Sequence, residues 1–284
     1  MNILITGANG QLGKCFAEHK KSFNDNLILK DKTDLDILDY KNLRNTIIEN
    51  NIKLIINCAS YTNVDQAEIN KETCFNINVI GLENILRAST DLNIFLIHFS
   101  SDYVFDGEGK VPLTEKDLTN PINYYGYTKL ISEKLCLKSS ANVIIFRVSW
   151  LYSKFKNNFL TKVIDLFQSN REIKFVDDQI SSPTNAEILV KDIIHIINKK
   201  TIFQISDREI FHYSDSGFCS KFEFVIELAK KLNISTNDFT KISTRDFKSL
   251  AQRPKFSVLE QLKFRKFFKI DIKSWDFNLI NYKI

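Results

Sequence analysis

Proline and glycine are scarce, 4 and 8 in a chain of 284 residues, which leaves no material for long flexible linkers or a fibrous repeat. No apolar stretch approaches the roughly 18 residues needed to cross a bilayer, and no repeat or low-complexity tract interrupts the chain. The start, Met1-Asn2-Ile3-Leu4-Ile5-Thr6-Gly7, lacks a basic segment and turns glycine-rich at once, so it does not read as a signal peptide. Cysteine is sparse too. Cys15, Cys58, Cys74, Cys136 and Cys219 are odd in number, with no C-x-x-C spacing and no histidines at metal-ligand spacing. That argues against a disulfide framework and a zinc site, and buried thiols in a reducing compartment, the cytoplasm, are expected. Charge of one sign is not in large excess. The 39 basic and 34 acidic residues leave +5, spread along the chain as ordinary surface charge. The basic residues of the Phe-rich tail, around Phe264, Phe267 and Phe268, follow no nucleic-acid motif. Neither nucleic acid nor membrane is expected as a partner.

What is present is core-forming material, 44% hydrophobic with 23 Phe. Short apolar runs at Ile3–Ile5, Leu27–Leu29, Leu54–Ile56, Ile94–Phe99 and Val143–Val148 have the length and β-branched content of strands buried on both faces. Between them Gln11–Lys20, Tyr40–Asn50, Lys71–Asp91 and Tyr124–Leu137 show helical spacing; Val79, Leu82, Ile85 and Leu86 share one stripe. Alternating strands and helices predict an α/β fold, a doubly wound parallel sheet of the Rossmann kind. A sixth strand near Ile173–Val176 and a helix Asn185–Asn198 are expected to return to it. After Lys200 the pattern changes to broken apolar runs around one clear helix, Lys221–Leu232, expected as a smaller α+β substrate domain. The division reads as 1–152 plus about 171–200 for the dinucleotide-binding domain, and about 153–170 with 201–284 for the substrate domain.

The first strand ends in Gly7-Ala8-Asn9-Gly10-Gln11-Leu12-Gly13, a G-x-x-G-x-x-G turn leading into a helix. Glycine allows the tight turn and lets backbone N–H groups approach a pyrophosphate, to which the helix N-terminus adds its positive end. The second strand ends at Asp31, an acid able to bind an adenosine ribose, between Lys30 and Lys32, which could instead hold a 2′-phosphate. Asp34-Leu35-Asp36-Ile37 follows, placed to line an adenine. The third strand runs into Asn57-Cys58-Ala59-Ser60-Tyr61-Thr62, whose small residues admit a cofactor close to the backbone. After the fourth strand comes Ser100-Ser101-Asp102-Tyr103-Val104-Phe105-Asp106-Gly107. Tyr125 and Lys129 then stand four apart, on one helix face. The ammonium is expected to favour the phenolate and lower the pKa of Tyr125, making it a proton donor or acceptor, while Ser101 polarises a carbonyl. His98, in an apolar run, reads as a core histidine; His195 and His212 have no partner at metal spacing.

Together these residues resemble the extended short-chain dehydrogenase/reductases, and within them the dTDP-4-dehydrorhamnose reductases. The resemblance covers nearly the whole chain. It rests on Gly7–Gly13, Ile56–Glu68, Ser101–Gly107, Asn123–Lys129, Arg147-Val148-Ser149-Trp150-Leu151-Tyr152, Val176–Thr184 with its Asp177-Asp178-Gln179, and Arg253-Pro254 ahead of Ser257-Val258-Leu259. It implies a nicotinamide cofactor, NADPH or NADH, held by Gly10, Gln11, Leu12, Asp31, Asp36, Ile37, Ser60, Tyr61, Thr62, Tyr125 and Lys129. Substrate contacts from Ser101, Asp102 and Trp150 follow from it, as does reduction of a 4-keto sugar on a thymidine diphosphate. Some members are dimers that use Mg²⁺; no local carboxylate cluster in the sequence supplies a metal site. Three positions depart from the pattern. Ser101 stands where Thr is frequent, Ser181 where Gly is usual, and Lys221 where an aromatic residue is common. A dehydratase on this fold would carry an acid pair after Ser101, but Tyr103 follows Asp102. An epimerase remains a second reading. A non-catalytic third is the regulatory subunit of methionine adenosyltransferase, which shares the Ser-Ser-Asp-Tyr-Val-Phe-Asp-Gly stretch and the Ala251–Pro254 run; the Trp150 segment and Asp177–Gln179 side with the reductases.

Overall fold

The structure, a computed structural model, describes residues 1–169, 172–205 and 207–283. Its strands are β1 (Asn2–Thr6), β2 (Asn26–Lys30), β3 (Ile52–Asn57), β4 (Phe95–Ser101), β5 (Val143–Val148), β6 (Leu151–Tyr152), β7 (Ile173–Val176), β8 (Ile180–Ser181), β9 (Thr184–Asn185), β10 (Glu209–Tyr213), β11 (Cys219–Ser220), β12 (Phe239–Ile242) and β13 (Phe256–Ser257). Its helices are α1 (Gln11–Glu18), α2 (Tyr40–Glu49), α3 (Val64–Ile69), α4 (Lys71–Phe75), α5 (Gly81–Asp91), α6 (Tyr124–Lys138), α7 (Phe159–Phe167), α8 (Ala186–Asn198), α9 (Lys221–Lys231), α10 (Leu262–Phe268) and α11 (Trp275–Asn281).

Six parallel strands form the main sheet in the order β10-β5-β4-β3-β1-β2. Alternation along β1 explains its two-sided burial. Ile3 and Ile5 join Phe16 of α1, Leu189 of α8 and Phe264 of α10 on one face. Leu4 joins Leu43 of α2 and Leu82 and Ile85 of α5 on the other. The chain leaves β2 and returns on the far side of β1 as β3, so the carboxyl ends of β1 and β3 flank the crevice where ligands bind in such sheets. Among the described residues, no helix is long and apolar enough to cross a membrane.

The expected doubly wound sheet is present, with one correction to its last strand. Ile173–Val176 does not return to it; it pairs in parallel with Phe239–Ile242 as a separate two-stranded ribbon. The sixth strand is Glu209–Tyr213, beside β5. Lys174 in β7 is exposed, whereas β10 ends in the buried run Phe211-His212-Tyr213. Only β10 therefore covers the outer edge of the fully buried β5. The helix Ala186–Asn198 does return, packing on α1. The expected boundary at 170/171 lies outside the described residues.

A second lobe forms around Tyr152, Leu160, Phe224, Leu228 and Leu279, from β6, α7, α9 and α11. Its ribbon β11-β8-β13 brings Ser257 and Lys221 up to the crevice.

Candidate active site

Between the sheet's carboxyl ends and the second lobe lies a cleft of about 650 Å³. At one end stands the glycine turn. Gly7 has φ +65, and a Cβ there would lie 2.6 Å from the backbone N of Ala59; one on Gly13 would lie 2.4 Å from the carbonyl of Gly7. The turn therefore tolerates no side chains at these positions. α1 has no side-chain cap at Gly10, whose own N–H turns back to Gly7 O (2.9 Å), and among the described residues the buried Nε2 of Gln11 has no partner. Unfilled donors at a helix N-terminus that lines a cleft fit a dinucleotide pyrophosphate.

Ser60 and Tyr61 are held by a residue the sequence reading passed over. The helical run Lys71–Asp91 contains a π-helical turn, Asn76–Ile80. Buried Asn78 accepts from Ser60 Oγ (2.9 Å) and Tyr61 N (2.8 Å), and donates to Tyr61 O (3.1 Å) and Thr128 Oγ1 (3.0 Å). One amide thus ties the loop after β3 to α6. Its only signal in sequence is a polar residue beside an apolar helix stripe. π-turns of this kind recur at functional sites.

Ser101 ends β4. Its hydroxyl accepts from Tyr103 N (3.1 Å) and donates to Asp102 Oδ1 (3.0 Å). α6 starts at the Asn123 cap, whose side chain accepts from Gly126 N (2.8 Å) and donates to Gln252 O (2.9 Å). A Cβ on Gly126 would lie 2.1 Å from Tyr103 O, so this glycine lets α6 approach close enough to set Tyr125 beside Ser101. The Tyr125 ring meets that of Tyr103 edge-on, centroids 6.0 Å apart. Burial pushes the Tyr125 phenol far above its ordinary value, and Ser101 pulls it only partly back. The expectation that Lys129 lowers it is corrected. The buried ammonium donates to Phe99 O at 2.6 Å instead, and burial brings its pKa from 10.5 down to about 8. One turn on, Glu133 takes Arg147 of β5 through Nε (2.9 Å) and Nη2 (2.7 Å) and Ser100 Oγ (2.5 Å), locking α6 to two strands.

Asp102 is buried and accepts from Ser101, Ser149 (3.1 Å) and Ser257 (2.6 Å). Burial raises its pKa while the three hydroxyls pull it back. Trp150 follows β5 with a left-handed φ of +43, a strained conformation for a bulky residue. Its ring packs against Phe159 and Phe224, and its buried Nε1 has no acceptor among the described residues. His98 is a core histidine; Nδ1 meets Asn57 Nδ2 at 3.2 Å and burial keeps it neutral.

Of the sequence candidates, Gly10, Gln11, Leu12, Ser60, Thr62, Ser101, Asp102, Tyr125, Lys129 and Trp150 line this one cleft. Gly7 and Gly13 shape its turn from behind, and Tyr61 sits on the Asn78 hub. Asp31, at the exit of β2, accepts from Thr33 N (2.7 Å), Thr33 Oγ1 (2.6 Å) and the Asn9 amide. Asp36 caps its own turn through Leu38 N (3.0 Å), and Ile37 lies buried in the core. Arg253, which carried no role in the sequence reading, also lines the cleft and grips Asp65 at 2.7 and 3.2 Å.

Away from the cleft lining, the ligand atoms of Glu18, His19 and Glu187 lie within 4.8 Å of one another. The sequence shows no such cluster because α1 and α8 supply it jointly. Lys154 Nζ stands 2.6 Å from Glu18 and 3.8 Å from Glu187. Two carboxylates and an imidazole suit a divalent cation once that ammonium swings aside.

Residues 1–282 match the family model described as the RmlD substrate binding domain. The dTDP-4-dehydrorhamnose reductase of Escherichia coli (strain K12) is 32% identical over 97% of this chain and 94% of its own length. The spore coat polysaccharide biosynthesis protein SpsK of Bacillus subtilis (strain 168) is 31% identical over 82% of this chain and 80% of its own. Among solved structures, the dTDP-4-dehydrorhamnose reductase of Bacillus anthracis in complex with NADP superposes with a TM-score of 0.91 at 35% identity, covering 99% of this chain and 98% of that one.

Proposed function

Since the chain belongs to the family of the RmlD substrate binding domain, we propose that it reduces the C4 carbonyl of a dTDP-linked 4-keto-6-deoxysugar, dTDP-4-dehydrorhamnose, to give dTDP-rhamnose. It is a nicotinamide-dependent reductase of a dTDP-keto sugar. The observation that carries the finer reading is the convergence of the glycine turn with Ser101, Tyr125 and Lys129 in one cleft.

A bound nicotinamide supplies the hydride. The chain's own residues do the rest. Gly10, Gln11 and Leu12 receive the pyrophosphate at the start of α1. Ser101 turns its hydroxyl from Asp102 to the carbonyl oxygen, stabilising the charge that develops there. Tyr125, kept protonated by burial, delivers its proton to O4. Lys129 orients the nicotinamide ribose. Glu18, His19 and Glu187 could hold a divalent cation only with Lys154 displaced, their imidazole suits Mg²⁺ poorly, and no step is routed through them. The five free cysteines, four of them buried, suit a reducing cytoplasm.

Oxidation of NADPH and of NADH, followed at 340 nm against a panel of nucleotide-linked 4-keto sugars, tests the reading. Turnover of the dTDP-linked 4-keto-6-deoxysugar supports it; turnover only of other nucleotide sugars overturns the substrate. The same assay reads cofactor choice. Asp31 favours a free 2′-hydroxyl and Lys30 and Lys32 a 2′-phosphate, so both cofactors are expected to serve, within about a hundredfold, or about 2.7 kcal/mol. A preference above about a thousandfold would mean that one of these groups faces away.

A further inference from the structure

We propose that Lys221 is a specificity-determining residue of this cleft, the cation that receives the diphosphate of the nucleotide sugar. The inference rests on the substrate reading above and adds the residue that holds its anionic part.

Lys221 is the first residue of α9. The end is tightly fixed: Ser220 Oγ accepts from Glu223 N (3.0 Å) while Glu223 accepts from Ser220 N (2.8 Å). A cation at a helix N-terminus opposes the helix dipole, where an acid would be favourable. The side chain is only partly withdrawn from water. It lines the cleft, with Nζ 2.9 Å from the centroid of the Trp150 ring and 5.1 Å from that of Phe159. Burial pushes its ammonium well below the ordinary lysine range. Among the described residues no carboxylate closes an ion pair with it. Asp102, the acid that acts on it across the cleft, already accepts from three serines.

The Trp150 indole N–H, on the ring beneath this ammonium, lacks an acceptor among the described residues. A lysine with no ion-pair partner among the described residues and a buried indole N–H without an acceptor, side by side on the cleft wall, are both satisfied by a ligand that supplies anionic oxygens. The cofactor's pyrophosphate has its own place at α1, and Ser101 and Tyr125 take the reacting carbonyl. Arg253 is committed to Asp65, and Lys162, which also lines the cleft, is exposed at its rim. The group left for Lys221 is the substrate's diphosphate.

Calorimetric titration of wild type, Lys221→Gln and Lys221→Arg with dTDP, thymidine and NADPH decides it. Loss of one charged hydrogen bond predicts roughly 10–100-fold weaker dTDP binding in Lys221→Gln, with thymidine and NADPH held within about twofold and Lys221→Arg close to wild type. Should Lys221→Gln not fold, Lys221→Met keeps the apolar stem on the indole and reads the same loss. Equal dTDP affinity in wild type and the neutral variants overturns the proposal. So does an equal loss for thymidine and dTDP, which would make Lys221 a packing residue. Wild type that reduces the keto sugar while Lys221→Gln binds dTDP normally leaves the reductase reading standing and removes this one. Wild type that binds no dTDP removes both.

Discussion

Lys129 is buried and Tyr125 half-buried on the cleft wall, and desolvation moves each toward its neutral form. For the tyrosine that is a neutral phenol across the physiological range, the form a reductase needs for proton delivery. Tyr125→Phe removes the hydroxyl with little change in volume, so kcat should fall roughly 10²–10⁴-fold while the NADPH Kd stays nearly constant. Turnover within a small factor of wild type would move the role elsewhere. For the lysine, a pKa lowered to about 8 means the ammonium persists below that pH and is lost above it. If that charge orients the nicotinamide ribose, kcat/KM is level through pH 7 and declines above about pH 8, approaching tenfold per unit. A profile still flat at about pH 9.5 would show that the charge is not needed. The spacing of Tyr125 and Lys129 was legible in sequence, but the destination of the ammonium was not. Four residues on one helix face says nothing about a strand carbonyl, Phe99 O, waiting at 2.6 Å.

Helix α6 carries the site only because of where its first turn is pinned. Asn123 caps it, Gly126 lets it touch the Tyr103 carbonyl, and Glu133 binds Arg147 and Ser100 beneath. Gly126→Ala puts a methyl 2.1 Å from a backbone oxygen, and α6 must shift to relieve it. Overpacking of this kind costs about 1–3 kcal/mol. The expected result is a melting temperature lower by several degrees, with kcat reduced about tenfold or more, since small displacements of a reacting group are expensive. Full activity in a variant of normal stability would show that the Tyr125–Ser101 geometry has slack. The G-x-x-G-x-x-G turn was readable because its glycines meet constraints within one loop and its neighbouring strand. Asn78 was not, because its partners come from the loop after β3 and from α6.

Across the whole molecule, the main sheet and the second lobe meet over a buried acid. Asp215 accepts from Asn185 N (3.1 Å) and Tyr152 Oη (3.4 Å), while its other oxygen has no hydrogen-bond partner among the described residues. Burial raises its carboxyl from 3.8 to about 8. The folded state therefore keeps a proton that the unfolded chain releases near pH 4, so this contribution to stability is fully present below about pH 4 and is lost as pH rises to about 8. Between pH 5 and 8 the melting temperature of wild type should fall relative to that of Asp215→Asn; parallel curves would show the acid to be solvated. Such a group cannot be found along the chain, nor could the sixth strand. By itself the sequence determined the α/β alternation, the glycine turn and the Ser101, Tyr125 and Lys129 set, because strand length, helix period and turn chemistry are local and each leaves its mark within a few residues. Only the tertiary structure decided that Glu209–Tyr213 rather than Ile173–Val176 closes the sheet, that Glu18, His19 and Glu187 converge, and that Lys221 lies on Trp150. Each depends on which distant surfaces need covering, and burial of that kind is a property of the packed molecule.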